Sequence, residues 1–180
     1  MGSMRFLLLW CCLACLAAVE IDGVTVPATA TVSGAEVPLR GAALLRWKWI
    51  VKVYVACAWL PTGATDPCTA TPARLGFTYR RGFTAQDLAK ATSATIVAGR
   101  NKAEVAALQP SLVRWNAAYA DVVAGDVLTI DHLPDGTAVM ALNGVERLRL
   151  TDAAFAQALV AIWLGPHTFD TDLRDGMLGR

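Results

Sequence analysis

Two dipeptides, Asp135-Gly136 and Asn143-Gly144, constrain the fold of this chain more than any other feature of it. They separate three stretches that alternate apolar and polar residues, Asp126 to Leu133, Thr137 to Leu142 and Val145 to Leu150. A two-residue connection that turns a strand straight back on its neighbour needs positive φ, and Asp-Gly and Asn-Gly tolerate that geometry best. The segment therefore reads as an antiparallel meander. Ser33-Gly34 repeats the signal between Val24 and Leu39, where Pro27 and Pro38 mark strand ends because proline cannot donate to a ladder.

Between these regions lies "RWKWIVKVYVACAWLP", starting at Arg46. Its odd positions Trp47, Trp49, Val51, Val53, Val55, Cys57 and Trp59 are apolar, whereas Arg46, Lys48, Lys52 and Tyr54 share the other parity. The alternation predicts one long strand with a core face and a mixed face. A loop from Pro61 to Pro72 leads to a further strand, Leu75 to Tyr79. Thr84 with Asp87, and Asn101 with Glu104, are helix-start pairs in which each side chain caps the other's backbone, and Gly99 ends the first helix. Leu108, Leu112, Trp115 and Tyr119 recur at helical spacing, a stripe that reads as core rather than as a cofactor surface. Thr151 or Asp152 starts a last long helix carrying Phe155, Leu159, Ile162 and Trp163, stopped by Gly165-Pro166. With 180 residues, 55% of them hydrophobic, the chain suits one compact domain. The expected class is α+β, an antiparallel sheet with helices laid across one face.

Charge and motifs exclude several functions. Sixteen basic residues face fifteen acidic ones and no like-charge run exceeds two, so the basic surface that nucleic acid requires is missing. His132 and His167 stand alone, which argues against a metal site, and no glycine loop of the phosphate-cradling kind occurs; no cofactor is expected. Asp170, Asp172 and Asp175 lack the glycine and glutamate of a calcium loop and read as helix-start acids. At the N-terminus Arg5 precedes an apolar run from Phe6 to Val19 that ends in small residues. This is the pattern of a secretory signal peptide, residues 1–18, ahead of a domain from 19 to 180. The run falls short of the roughly 20 residues a spanning helix needs, so the mature protein is expected to be secreted, in the periplasm, without a stable membrane span. Cys57 and Cys68 would then meet an oxidising compartment. They pair, or Cys57 is a small buried hydrophobe and Cys68 a loop thiol, the reading that the strand pattern around Cys57 favours.

Four segments, "VEIDGVTVP", "LRGAALLRWKWIVKVYVACAWLP", "GDVLTIDHLPDGTAVMALNG" and "FAQALVAIWLGPHTFDTDLRDGMLG", in this order and spacing, make the chain resemble the chalcone isomerase-like proteins, in particular their secreted bacterial branch. The resemblance implies an open-faced β-sandwich with helices packed on a long antiparallel sheet and a mostly apolar cleft between the layers. In the plant enzymes of the family that cleft cyclises a chalcone; in plastid relatives it holds a fatty acid. Residue by residue, Arg46 matches the family's cleft arginine and Tyr54 the hydroxyl residue on the following strand. On one straight strand these two would stand roughly 26 Å apart, at about 3.3 Å per residue, so a shared contact needs a bend between them. Ile162 occupies the place of a C-terminal helix hydroxyl, a departure from the enzymes. Of the tyrosine and asparagine expected between Thr84 and Glu104, only Asn101 is present, where it already serves as a helix cap.

The resemblance implies a non-catalytic protein that binds a small hydrophobic carboxylate, such as a fatty acid, through Arg46, Tyr54, Asn101 and Ile162. An isomerase, an intramolecular lyase using Arg46 to stabilise an oxyanion, is the first alternative. A periplasmic protein-interaction module, docking through a sheet edge or the tryptophan-rich strand, is the second. It would be favoured if side chains filled the space between sheet and helices.

Overall fold

The computed structural model describes residues 18–180, so the expected signal segment lies outside the described residues but for Ala18. The elements run β1 (Val19–Ile21), β2 (Val24–Val26), β3 (Thr29–Val32), β4 (Ala35–Trp47), β5 (Val51–Trp59), β6 (Ala73–Tyr79), α1 (Ala85–Val97), α2 (Lys102–Ala117), β7 (Val127–His132), β8 (Thr137–Leu142), β9 (Val145–Thr151), α3 (Ala153–Leu164) and α4 (Thr171–Met177). Strands β3 to β9 lie side by side in chain order in one antiparallel sheet, and β1 and β2 pair in a separate hairpin. The class expected from the sequence, α+β with helices on an antiparallel sheet, is the one observed.

Local chemistry sets most boundaries. Gly136, Asn143 and Gly144 take φ of 79°, 52° and 79°, which builds the β7-β8-β9 meander. Thr84 with Asp87 and Asn101 with Glu104 form complete capping boxes on α1 and α2. Asp152 and Asp170 cap α3 and α4 by accepting from Phe155 and Leu173 backbone N–H groups, which accounts for Asp170 without calcium.

The expected long strand is instead a hairpin, with Lys48, Trp49 and Ile50 turning β4 back into β5. Lys48 and Trp49 take φ of 50° and 66°, the left-handed region, which costs a non-glycine residue roughly 1–2 kcal/mol. Trp47 and Trp49, expected in the core, are 59% and 86% exposed at its tip. The parity changes too. Tyr54, Ala56 and Ala58 join the main core beneath the helices, while Val55, Cys57 and Trp59 pack with Val26, Val32 and Val37 on the opposite face. Strand β5 is therefore covered on both sides, and no polar face remains to mark which side is core.

Cys57 and Cys68 are free thiols. Burial pushes Cys57 up to about 12, and its Sγ lies 3.5 Å from the Gly76 carbonyl, so it behaves as a small hydrophobe. Helix α4 returns to the sheet, burying Leu173, Met177 and Leu178 and setting its backbone against Gly41 of β4.

Candidate functional cleft

An open cleft of about 660 Å³ separates the β4-β5-β6-β7 region of the sheet from helices α1 and α3. Its floor is Leu45, Val53, Tyr54, Tyr79 and Leu128; Leu88 and Thr92 of α1 and Ile162 and Trp163 of α3 form the opposite wall. Arg81, Phe83, Asp87 and Phe169 stand at the lip, with the Arg81 guanidinium 5.5 Å from the Phe83 ring centre. The volume is in the range of about 300–1,000 Å³ that small-molecule sites occupy, and the lining is mostly hydrocarbon. Part of the space between sheet and helices is thus left open beside the packed core, whereas the interaction-module reading would have gained from a space filled by side chains.

Inside the lip, three phenols are the main polar groups of the cleft, beside Thr92, Thr95 and the Trp163 indole. Tyr54 and Tyr79 are opposite one another on β5 and β6, their rings edge to face with centroids 5.8 Å apart. The Trp163 indole N–H donates to Tyr54 Oη at 3.0 Å. The Trp115 indole donates to Tyr119 Oη at 3.1 Å, and Tyr119 shares a second hydrogen bond of 2.8 Å with Thr92 Oγ1. An indole N–H can only donate, so each of these two phenol oxygens must accept, and the Tyr54 proton is left for something else. The Tyr79 hydroxyl makes no hydrogen bond among the described residues. Burial holds all three phenols above their ordinary range, so they remain protonated and act as donors.

Of the four residues proposed from the sequence, the structure brings two to this cleft, Tyr54 and Ile162. Arg46 is exposed and lines a separate depression of about 390 Å³ with Lys48, Trp49, Asp170 and Asp172. The hairpin removes the straight-strand distance, since Leu45 is directly opposite Tyr54. Leu45 lines the cleft, however, and Arg46 does not. Asn101 is at the start of α2, its Oδ1 accepting from Ala103 and Glu104 N–H at 2.9 and 3.0 Å, and does not line the cleft.

Sequence reasoning missed Tyr79, Tyr119 and Trp163 as site residues. Tyr119 was visible only as the end of an apolar stripe, yet it places a tyrosine hydroxyl beside α1 where none occurs between Thr84 and Glu104. The signal was its spacing of four from Trp115, which leaves Tyr119 just past the end of α2 with its hydroxyl within reach of the Trp115 indole. Among the described residues no group of three His, Cys, Asp or Glu could hold a metal ion, and no helix is long and apolar enough to cross a membrane.

A family profile described as chalcone isomerase-like matches residues 18–179. No curated protein sequence matches the chain. Among solved structures, the crystal structure of a fatty-acid binding protein from Arabidopsis thaliana superposes with a TM-score of 0.69 over 90% of this chain and 96% of that one, at 12% identity. At that identity the likeness is one of fold.

Proposed function

The chain belongs to the chalcone isomerase-like family, and from that premise we propose that it binds a small hydrophobic carboxylate such as a fatty acid, without turning it over. The observation that carries this reading is the pairing of a hydrocarbon cleft with phenol protons that the fold leaves unused. An alkyl chain lying along Leu45, Val53, Leu88, Leu128 and Ile162 gains about 0.8 kcal/mol for each methylene removed from water. Its carboxylate accepts from Tyr54 and Tyr79. Each such bond to a charged acceptor contributes about 1.5–3 kcal/mol. At Ile162, where the plant enzymes carry a hydroxyl, the chain meets hydrocarbon instead. Phenols kept protonated by burial suit a donor's task and not a base's, which favours binding over proton transfer.

Titration of a fluorescent long-chain fatty acid tests the assignment. Tyr54→Phe is expected to weaken binding by about tenfold to a hundredfold, the loss of one charge-assisted bond. Arg46→Ala is expected to leave affinity unchanged, because Arg46 lies outside the cleft. Circular dichroism keeps a folding defect apart from a binding defect, since Tyr54→Phe also removes the acceptor of the Trp163 N–H. Wild-type protein that takes up no fatty acid would refute the reading. Chalcone turnover above the buffer rate, lost in Tyr54→Phe, would establish the isomerase in its place.

The same proposal includes export to the periplasm, as in the secreted bacterial branch of the family, supported by Arg5 and the apolar run behind it. N-terminal sequencing of protein recovered from the periplasm is expected to start near Val19. A start at Met1 in a membrane fraction would overturn it.

A further inference from the structure

The tip of the β4-β5 hairpin presents Trp47, Trp49 and Ile50 to solvent, the last two 86% and 83% exposed. Trp49 and Ile50, adjacent in a turn with two left-handed residues, bury little within the chain, and Trp47 is partly covered. Their neighbours along the chain are basic, while Asp170 and Asp172 border the depression behind the tip. Arg46, Lys48 and Lys52 fall in a stretch from Arg46 to Trp59 that contains no acidic residue. Lys52 is bonded to Asp22, but Arg46 and Lys48 have no carboxylate within ion-pair distance among the described residues. Lys48 Nζ instead lies 4.5 Å over the Trp47 ring.

We propose that this tip docks the protein on an anionic lipid surface, with Trp49 and Ile50 entering the interface and Arg46 and Lys48 held at the level of the head groups. Tryptophan favours the boundary between head group and acyl chain, where its ring is buried and its N–H stays wet. Cations beside it gain from the negative surface potential of the lipid. The shape of the feature distinguishes this partner from a protein. A stable protein interface covers about 1,000 Å² or more with fitted surfaces, and a protruding three-residue turn cannot supply that, whereas a bilayer closes around it.

Docking would also orient the cleft. Leu45 and Val53, just behind the tip on its two strands, line the cleft floor, and Phe169 at the cleft lip is 50% exposed beside Asp170 of the depression that Lys48 and Trp49 border. A tip seated in lipid brings the cleft mouth to the same surface, so a hydrophobic ligand would pass between bilayer and cleft without crossing water. That consequence rests on the fatty-acid reading; the docking itself does not.

Co-flotation with vesicles of phosphatidylglycerol and phosphatidylcholine in equal parts, against vesicles of phosphatidylcholine alone, tests the proposal on the full chain. The wild-type protein is expected to partition onto the anionic vesicles, and the Trp49→Ser/Ile50→Ser double variant to lose about tenfold or more of that partitioning. Arg46→Gln/Lys48→Gln is expected to bring partitioning on the anionic vesicles down to the phosphatidylcholine level. All four positions are exposed, Arg46 near the end of β4 and the others in the turn, and circular dichroism checks the fold. Wild-type protein that does not float, or a Trp49/Ile50 variant that floats as well as wild type, overturns the docking; in the second case another segment holds the lipid. The Trp49→Ser/Ile50→Ser variant is expected to bind fatty acid in solution as the wild type does. A protein that docks on vesicles but binds no fatty acid would refute the cleft assignment and leave the tip's role standing.

Discussion

Gly41→Ala is expected to lever α4 away from the sheet and to destabilise the protein by about 3 kcal/mol or more, the sum of overpacking and lost burial. A Cβ at position 41 would lie 2.3 Å from the Gly176 carbonyl oxygen, 2.6 Å from the Gly179 nitrogen and 3.0 Å from the Met177 carbonyl carbon. All three are backbone atoms, so no side chain can swing aside; strand or helix must move. The approach is reciprocal, for a Cβ on Gly176 would meet Ala43 Cβ at 2.6 Å. Moving α4 exposes Leu173, Met177 and Leu178, each now buried in the main core. A side chain of that kind loses about 1.5–3 kcal/mol when fully exposed, so even partial displacement is severe. Gly34→Ala is the control. Gly34 has a positive φ, 83°, which Gly41 does not, but nothing lies within 4 Å of its missing Cβ, and only the modest cost of backbone strain, about 1 kcal/mol, should appear. Urea unfolding midpoints of the two variants measure the difference. A Gly41→Ala protein as stable as Gly34→Ala would mean that α4 is not held by this close approach.

The turns and caps were legible in the sequence because their chemistry is local. Asn143-Gly144 and the Thr84/Asp87 pair act within four residues, and no distant contact competes with them. The β4-β5 hairpin was hidden for a specific reason. Its connection, Lys48 to Ile50, has three residues and carries neither glycine nor proline, so Trp47 and Val51 face each other with odd numbering kept on both sides of the turn. The alternation reads straight through. A register shift between Leu45 and Arg46 then exchanges the parity, setting Leu45 opposite Tyr54 and turning Tyr54 toward the helices. Neither a three-residue turn nor a bulge leaves a trace in an apolar pattern.

The cleft was half legible for a related reason. Tyr54 and Ile162 were found through motif position, and Arg46 was drawn in by the same argument although it lines the separate depression and not the cleft. Periodicity reports whether a residue is buried, not where its polar tip goes. Tyr119 and Trp163 fit a core stripe by their spacing, and they are buried; what makes them part of a site is that one hydroxyl meets Thr92 and one indole meets Tyr54. Such pairings join residues far apart in the chain, 27 and 109 positions here, and only the folded arrangement of α1, α3 and β5 reveals them.

Filling the cleft should weaken ligand binding about a hundredfold while leaving the fold intact, which is the sharpest separation of cleft from surface. Leu45 is half-buried on the floor and Ala91 is an exposed residue of α1 on the facing wall, so Leu45→Trp/Ala91→Trp adds two indoles to space that no protein atom now occupies. A strand side chain stands nearly perpendicular to its sheet, so the new ring at position 45 must enter the cleft. The ring at 91 can cover it from above. Excluding three or four methylenes of a bound chain at about 0.8 kcal/mol each removes roughly 2.5–3 kcal/mol, about a hundredfold in affinity. Stability should hardly change, because the rings displace solvent and not packed atoms. This pattern differs from that of Gly41→Ala, where the fold weakens first and any binding defect follows from it. Fatty-acid titration alongside urea unfolding reads both quantities on the same protein. A doubly substituted protein that is folded and binds fatty acid at wild-type strength would place the ligand elsewhere, and the depression beside Arg46 would then be the site to examine.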